Sequence, residues 1–309
     1  MKTLMKHGLK NFGKAQRVLR AGVVLMAILS GTPLALQAQQ FETKYMKHRG
    51  LEREYRLYVP DSLAEQRPLV IMLHGFGGKA ENYRPEMAEQ ARRHGFVLCV
   101  PQGCKSPGGK TGWNVGYPAQ EGMTTDDVDF VCALKNRIVK DFKLDRRNCF
   151  LCGMSNGGEM CYLTAMLRPE AFAAYGSIAG LTMEWFIREH SVRQPVPFLE
   201  VHGTEDKTSK WEGDPDNKGG WGSYISVPIA VGNLVAAAGC THCEDTSLPV
   251  RRNSVVLHRY LGGCPAWKEG PPVEVRLYEV RGGKHSWALD DLDTCSTLWE
   301  FFSIYLRKD

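Results

Sequence analysis

Compact apolar runs recur along this chain, several of them followed by a glycine-rich turn or a segment with helical spacing. Pro68–Leu73 (PLVIML) and Phe96–Val100 are runs of the kind expected of central parallel strands, buried on both faces. Asn148–Gly153, Ala171–Ala179 and Val196–Val201 repeat the pattern, and Val255–Leu261 and Val273–Val280 carry it toward the C-terminus. Arg53–Val59 alternates instead, as a strand with one exposed face does. Between the runs, Glu81–His94 has helical spacing and stops at Gly95. Thr125–Phe142 places apolar residues at 128, 130, 131, 134, 138 and 139 behind an N-cap at Thr125 or Asp126. Gly158–Leu167, Val227–Ala238 and Thr294–Leu306 supply further helices, while Cys104–Gly122 and Glu205–Ser226 read as loops. Strands alternating with helices predict an α/β fold: a mostly parallel sheet with helices on both faces, in a single domain.

The first 38 residues stand apart from this pattern. Six cations and no acid precede an apolar run at Ala21–Leu29 and the small-residue sequence Leu36-Gln37-Ala38. That order reads as a secretory signal peptide cut after Ala38, leaving an exported domain at 39–309 in the periplasm or outside the cell. The run is shorter than the roughly 20 residues a membrane span needs, so no stable span is expected after processing; an uncleaved anchor is the alternative. Without this segment the chain carries 33 cationic against 34 acidic residues, and no nucleic-acid partner is expected of so neutral a protein. Ten cysteines in an exported chain make disulfides plausible. Cys99, Cys132 and Cys161, however, sit in apolar runs and read as buried thiols.

The chemistry concentrates at four turns, each just past a strand. Gly153-Met154-Ser155-Asn156-Gly157 is a G-x-S-x-G between strand and helix, a turn that lifts a serine hydroxyl above the sheet rim on strained backbone. His74-Gly75-Phe76-Gly77-Gly78 follows PLVIML, and the backbone N–H groups of Phe76 and Asn156 are the expected oxyanion donors, with His74 structural. His202-Gly203-Thr204-Glu205-Asp206 offers an acid, Asp206, with Glu205 as its competitor. Gly282-Gly283-Lys284-His285 offers a base. The order Ser155, Asp206, His285 is the one α/β-hydrolases use, and predicts a hydrolase acting through an acyl-enzyme without metal or organic cofactor. Asp290 and Asp291 follow His285 too closely to orient it and read as solvated.

Two metal-like patterns are set aside. Cys149 and Cys152 lie three apart in a strand and therefore face opposite ways, so a metal shared with the Cys240-x-x-Cys243 pair is geometrically awkward. Asp214–Gly219 has Lys218 where a calcium ligand belongs and reads as solvated loop.

Taken together, the serine motif, His74-Gly75, Trp113-Asn114, Asp126-Asp127-Val128, His202-Gly203-Thr204-x-Asp206 and Gly283-x-His285-x-Trp287 resemble the polyhydroxybutyrate depolymerase/feruloyl esterase group. This group overlaps carbohydrate esterase family 1 within the α/β-hydrolases, and the likeness runs from about Tyr55 to Phe302. The resemblance implies ester hydrolysis on feruloylated or acetylated plant polysaccharide, or on polyester. It also implies a Cys240–Cys264 disulfide. Lys284 departs from a place that is commonly glycine, and the Glu205–Ser226 loop with its tryptophans looks idiosyncratic. Trp211, Trp221 and Tyr224 on that loop, with Trp113 and Trp287, are candidates for a wall that stacks an aromatic acyl group or a sugar. The alternative is that they pin the loop to the body. A serine peptidase of the same fold and a non-catalytic surface binding protein are the rival functions.

Overall fold

The computed structural model describes residues 41–190, 192 and 194–308, so the expected signal peptide at 1–38 lies outside the described residues. The described residues open with an antiparallel hairpin, β1 (Glu42–His48) and β2 (Leu51–Tyr58). β3 (Leu69–Leu73), α1 (Pro85–His94) and β4 (Val97–Pro101) follow. A small ribbon of β5 (Cys104–Lys105) and β6 (Thr111–Gly112) precedes α2 (Asp127–Phe142). β7 (Cys149–Met154), α3 (Asn156–Leu167) and β8 (Ala174–Ile178) come next. β9 (Thr182–Met183), α4 (Glu184–Glu189), β10 (Phe198–Gly203) and β11 (Tyr224–Ile225) lead to α5 (Val227–Ala238). The meander β12 (His242–Ser247), β13 (Ser254–Leu261) and β14 (Val275–Arg281) is followed by α6 (Thr294–Ser303).

Among the described residues, ten strands share one sheet in the order β1-β2-β4-β3-β7-β8-β10-β14-β13-β12. The run from β4 to β14 is parallel, and antiparallel strands flank it on both sides. Because side chains alternate along a strand, β3 feeds two cores. Leu69, Ile71 and Leu73 pack with α2, α3 and α5, whereas Val70 and Met72 pack with α1 and α6. The two β3 neighbours, β4 and β7, are reached through α1 on one face and α2 on the other, so the connection reverses direction between β3 and β7. A reversal of this kind opens a crevice outside the carboxyl ends of the strands. His74–Gly78 and Ser155 leave the sheet there.

Asp126 caps α2 by accepting from the Asp129 N–H at 2.9 Å. Behind it Asp127 is buried, pairs with Arg53 at 2.7 Å and accepts from the Asn114 N–H at 2.8 Å, which ties the β6–α2 loop to the sheet. β1, β9, α4 and β12 were not anticipated, and the short strands β5, β6 and β11 lie in segments read as loops. β12 reads HCEDTS and is exposed throughout, so its sequence carries no apolar alternation to announce it. Cys149 belongs to one core and Cys152 to the other. The implied Cys240–Cys264 disulfide is not formed: both are thiols, and Cys240 Sγ is directed at the Tyr260 and Val273 carbonyls, 3.5 and 3.8 Å away. No helix among the described residues is long and apolar enough to cross a membrane.

Candidate active site

Ser155 sits between β7 and α3 at φ 56°, ψ −124°, a backbone conformation costly for a residue with a side chain. Tight packing leaves no other route. A Cβ on Gly153 would stand 2.5 Å from the Gly157 backbone, and one on Gly157 would stand 2.5 Å from the Leu73 carbonyl. The turn therefore requires both glycines and holds the serine, partly exposed, on the rim.

Asp206 follows β10 and His285 follows β14, the parallel neighbour of β10. Glu205 N–H donates to the Gly283 carbonyl at 2.9 Å and joins the two turns. His285 Nδ1 donates to Asp206 Oδ2 at 2.7 Å, and Asp206 Oδ1 accepts from the Thr208 and Ser209 N–H groups at 2.7 and 2.9 Å. Asp206 is buried and His285 partly exposed, an arrangement that fixes one tautomer with Nε2 as the available base. Among the described residues, Asp206 and not Glu205 is the carboxylate bonded to the ring. The Ser155 hydroxyl has no hydrogen-bond partner among the described residues, so the Asp206–His285 pair is assembled while the serine–histidine bond is not yet closed. Such bonds commonly tighten when substrate binds.

The His74–Gly78 loop lies against the serine: a Cβ on Gly75 would be 3.3 Å from Ser155 Cβ. Gly77 and Gly78 spend their N–H groups on the Thr111 and Gly75 carbonyls at 2.7 and 2.9 Å, whereas those of Phe76 and Asn156 are not taken by described residues. His74 is structural. It donates from Nδ1 to the Gly75 carbonyl at 2.8 Å and accepts at Nε2 from the Gly103 N–H at 2.9 Å, and burial holds its pKa down.

The aromatic candidates divide. Trp113 is fully buried and cannot stack on a substrate. Its Nε1 donates to the His74 carbonyl at 2.8 Å, while Asn156 bridges its backbone through Oδ1 at 2.7 Å and Nδ2 at 3.0 Å. It braces the two turns that carry the expected oxyanion donors. Tyr224 is also fully buried, and its hydroxyl accepts from the Lys210 N–H at 3.1 Å. Trp211 is half-buried, edge-on to His202. Trp221 packs at 5.8 Å on Phe76 and at 5.2 Å on Tyr117, both ring-centroid distances, and stays half-buried beside the oxyanion loop. Trp287 lines a groove with Gly75, Met154, Tyr83 and Arg84. Two acids read as solvated are buried instead. Asp214 accepts from the Gly219 N–H at 2.6 Å and organises the 205–226 loop, and Asp291 accepts from the Asn253 N–H at 2.6 Å.

Two buried acids escaped the sequence reading. Glu159, one turn into α3, is fully buried with neither carboxyl oxygen in a well-formed hydrogen bond. Desolvation pushes its pKa up to about 8 against the opposing influence of Tyr117 and Asn156. Glu200 and His202, both buried on β10, meet at 2.8 Å. Burial resists charging His202, but the Glu200 carboxylate outweighs it and the histidine pKa rises. A lone acid in an otherwise apolar run was the available signal in both places.

The esterase PHB depolymerase family model matches residues 53–196. A bifunctional acetylxylan esterase/xylanase of Neocallimastix patriciarum is 26% identical over 84% of this chain and 34% of its own length. Feruloyl esterase B of Neurospora crassa is 29% identical over 52% of this chain and 54% of its own length. This chain thus spans a third to about half of these curated relatives. Among solved structures, an acetyl xylan esterase from Aspergillus awamori aligns with a TM-score of 0.61 at 14% identity, over 85% of this chain and 99% of that one. The fold is the α/β-hydrolase fold.

Proposed function

Since this chain belongs to the polyhydroxybutyrate depolymerase/feruloyl esterase group of the α/β-hydrolases, we propose that it is an exported serine carboxylic-ester hydrolase acting on feruloyl or acetyl esters of plant polysaccharide. The observation that carries this reading is the 2.7 Å bond between His285 and Asp206 on the sheet rim that also bears the strained Ser155. Ser155 Oγ attacks the ester carbonyl as His285 Nε2 takes its proton. Asp206 holds the imidazolium, and the Phe76 and Asn156 N–H groups receive the oxyanion. The tetrahedral intermediate collapses, His285 returns the proton to the departing alcohol, and water repeats the sequence on the acyl-enzyme. The signal-like segment at 1–38 supports export, where such polymers are met.

The family description favours one second reading, a polyester depolymerase acting on hydroxybutyrate esters. One experiment decides between them: kcat/KM for feruloyl, acetyl and 3-hydroxybutyrate esters, beside a peptide anilide. Feruloyl or acetyl esters are expected to lead. Leadership by the hydroxybutyrate ester would move the substrate to polyester, and leadership by the anilide would reject an esterase.

A further inference from the structure

Far from Ser155, the edge of the sheet gathers a second set of reactive side chains. β12 is the last strand, exposed along its whole length and held only by β13. Asp245 stands opposite His258 in their antiparallel register, and Cys243 lies two residues from Asp245 on the same face. Sγ of Cys243, a carboxylate oxygen of Asp245 and a ring nitrogen of His258 all lie within 4.8 Å of one another. Cys243 Sγ is 3.4 Å from Asp245 Oδ1, which is 2.8 Å from His258 Nδ1. On the other side of the ring, His258 Nε2 faces Glu279 Oε2 at 3.2 Å.

We propose that Cys243, Asp245 and His258 form a zinc-binding site that staples edge strand β12 to β13. Tetrahedral zinc has bonds of about 2.3 Å to sulfur and about 2.0–2.2 Å to nitrogen and oxygen, so its ligand atoms stand roughly 3.3–3.6 Å apart. The sulfur–oxygen separation already fits, and a small rotation of the Asp245 carboxylate opens the shorter one. Thiolate, imidazole and carboxylate together suit zinc rather than magnesium or calcium, which prefer oxygen. Glu279 supplies what a metal-bound histidine usually has, a carboxylate accepting from its second nitrogen and so presenting the first to the ion. The fourth position opens to water. The Cys240-x-x-Cys243 spacing concealed this set, because Cys243 finds its partners across the strand pair and not along the chain.

The test is equilibrium dialysis of the full chain against zinc chloride, with cobalt substitution as a spectroscopic readout. About one zinc per chain and a thiolate-to-cobalt charge-transfer band are expected, both lost in Cys243→Ser and His258→Ala. Glu279→Gln should weaken zinc about 10- to 100-fold. Zinc should also slow amide exchange in β12 of the wild type alone. Hydrolysis of p-nitrophenyl acetate should be unchanged in all three variants, since four strands separate β12 from β7, roughly 24 Å at the usual strand spacing. Cys243 is exposed, so its serine variant decides the matter should the alanine at 258 disturb folding. Absence of zinc uptake by the wild type, or equal uptake by Cys243→Ser, overturns the site.

Discussion

His202 Nε2 lies 3.7 Å from Asp206 Oδ2 while bonding the Ser209 carbonyl at 2.7 Å, so the proposed triad acid shares its buried corner with a second histidine. The other ring nitrogen faces Glu200 at 2.8 Å. With an acceptor at each nitrogen, the Glu200–His202 pair retains a proton that a free histidine would release near neutrality. Removing His202 would strand a buried carboxylate, a loss of about 3–5 kcal/mol for broken pairs of this kind. The sign with pH follows from the raised histidine pKa. The stability it confers is fully present below the ordinary value of about 6.5 and is lost as pH rises through the raised one. Urea midpoints of wild type and His202→Gln should therefore lie far apart at pH 6 and draw together at alkaline pH. Equal gaps at both would show that the pair holds no extra proton.

Asp206→Asn separates positioning from folding. The amide oxygen still accepts from the Thr208 and Ser209 N–H groups, so the turn survives. Its NH2 group, however, meets His285 Nδ1 as a donor and forces the proton onto Nε2. By analogy with other triads, kcat should fall on the order of 10³- to 10⁴-fold with melting temperature little changed. Glu205→Gln should leave kcat within a factor of about three, because the acid role then rests with its neighbour.

Trp113→Phe tests the brace beneath the oxyanion loop. The variant keeps an aromatic ring in the core but deprives the His74 carbonyl of its donor. Stability should drop by about 1–3 kcal/mol. The loop that carries Phe76 should loosen, so kcat should fall while KM for a small acetyl ester stays near wild type. A rise in KM alone would return Trp113 to substrate contact.

The parallel strands and the order of the three candidate side chains were legible because buried strands leave uninterrupted apolar runs and strained turns leave glycines. Ser155, Asp206 and His285 each follow such a run. What escaped was decided by pairing across the sheet. β12 is polar throughout and exists because β13 offers it a partner. Trp113 stood among the stacking candidates because it lies in a segment read as loop, between Gly112 and Asn114, yet tertiary contacts with His74 and Asn156 bury it. Loop aromatics give no periodicity from which burial could be read.

Trp287 lines the groove beside Gly75 and Met154, and Trp221 is the loop aromatic proposed to meet substrate. It stacks edge-on against Phe76, whose N–H is the expected oxyanion donor, and remains half-buried. Trp221→Ala should raise KM for a feruloyl ester about tenfold, as the loss of one aromatic contact does. An acetyl ester, too short to reach the ring, should change less than about twofold. Comparing the two KM ratios on the same preparation separates stacking from a general loosening of the loop, which would raise both alike.

Glu159 makes the most direct pH test, since its pKa of about 8 lies far above that of an exposed glutamate. Between about 4.5, where the unfolded side chain ionises, and about 8, the folded protein keeps a proton that the unfolded chain has released. Unfolding then releases a proton, so stability falls as pH rises through that window, by at most about 1.4 kcal/mol per pH unit, and levels off above it. Glu159→Gln resembles the protonated acid in shape and cannot ionise. Its unfolding free energy should match the wild type near pH 5 and exceed it increasingly toward pH 8, in urea titrations at fixed ionic strength. Parallel curves would mean that Glu159 is already ionised in the fold, with a counter-charge beside the serine turn to hold it.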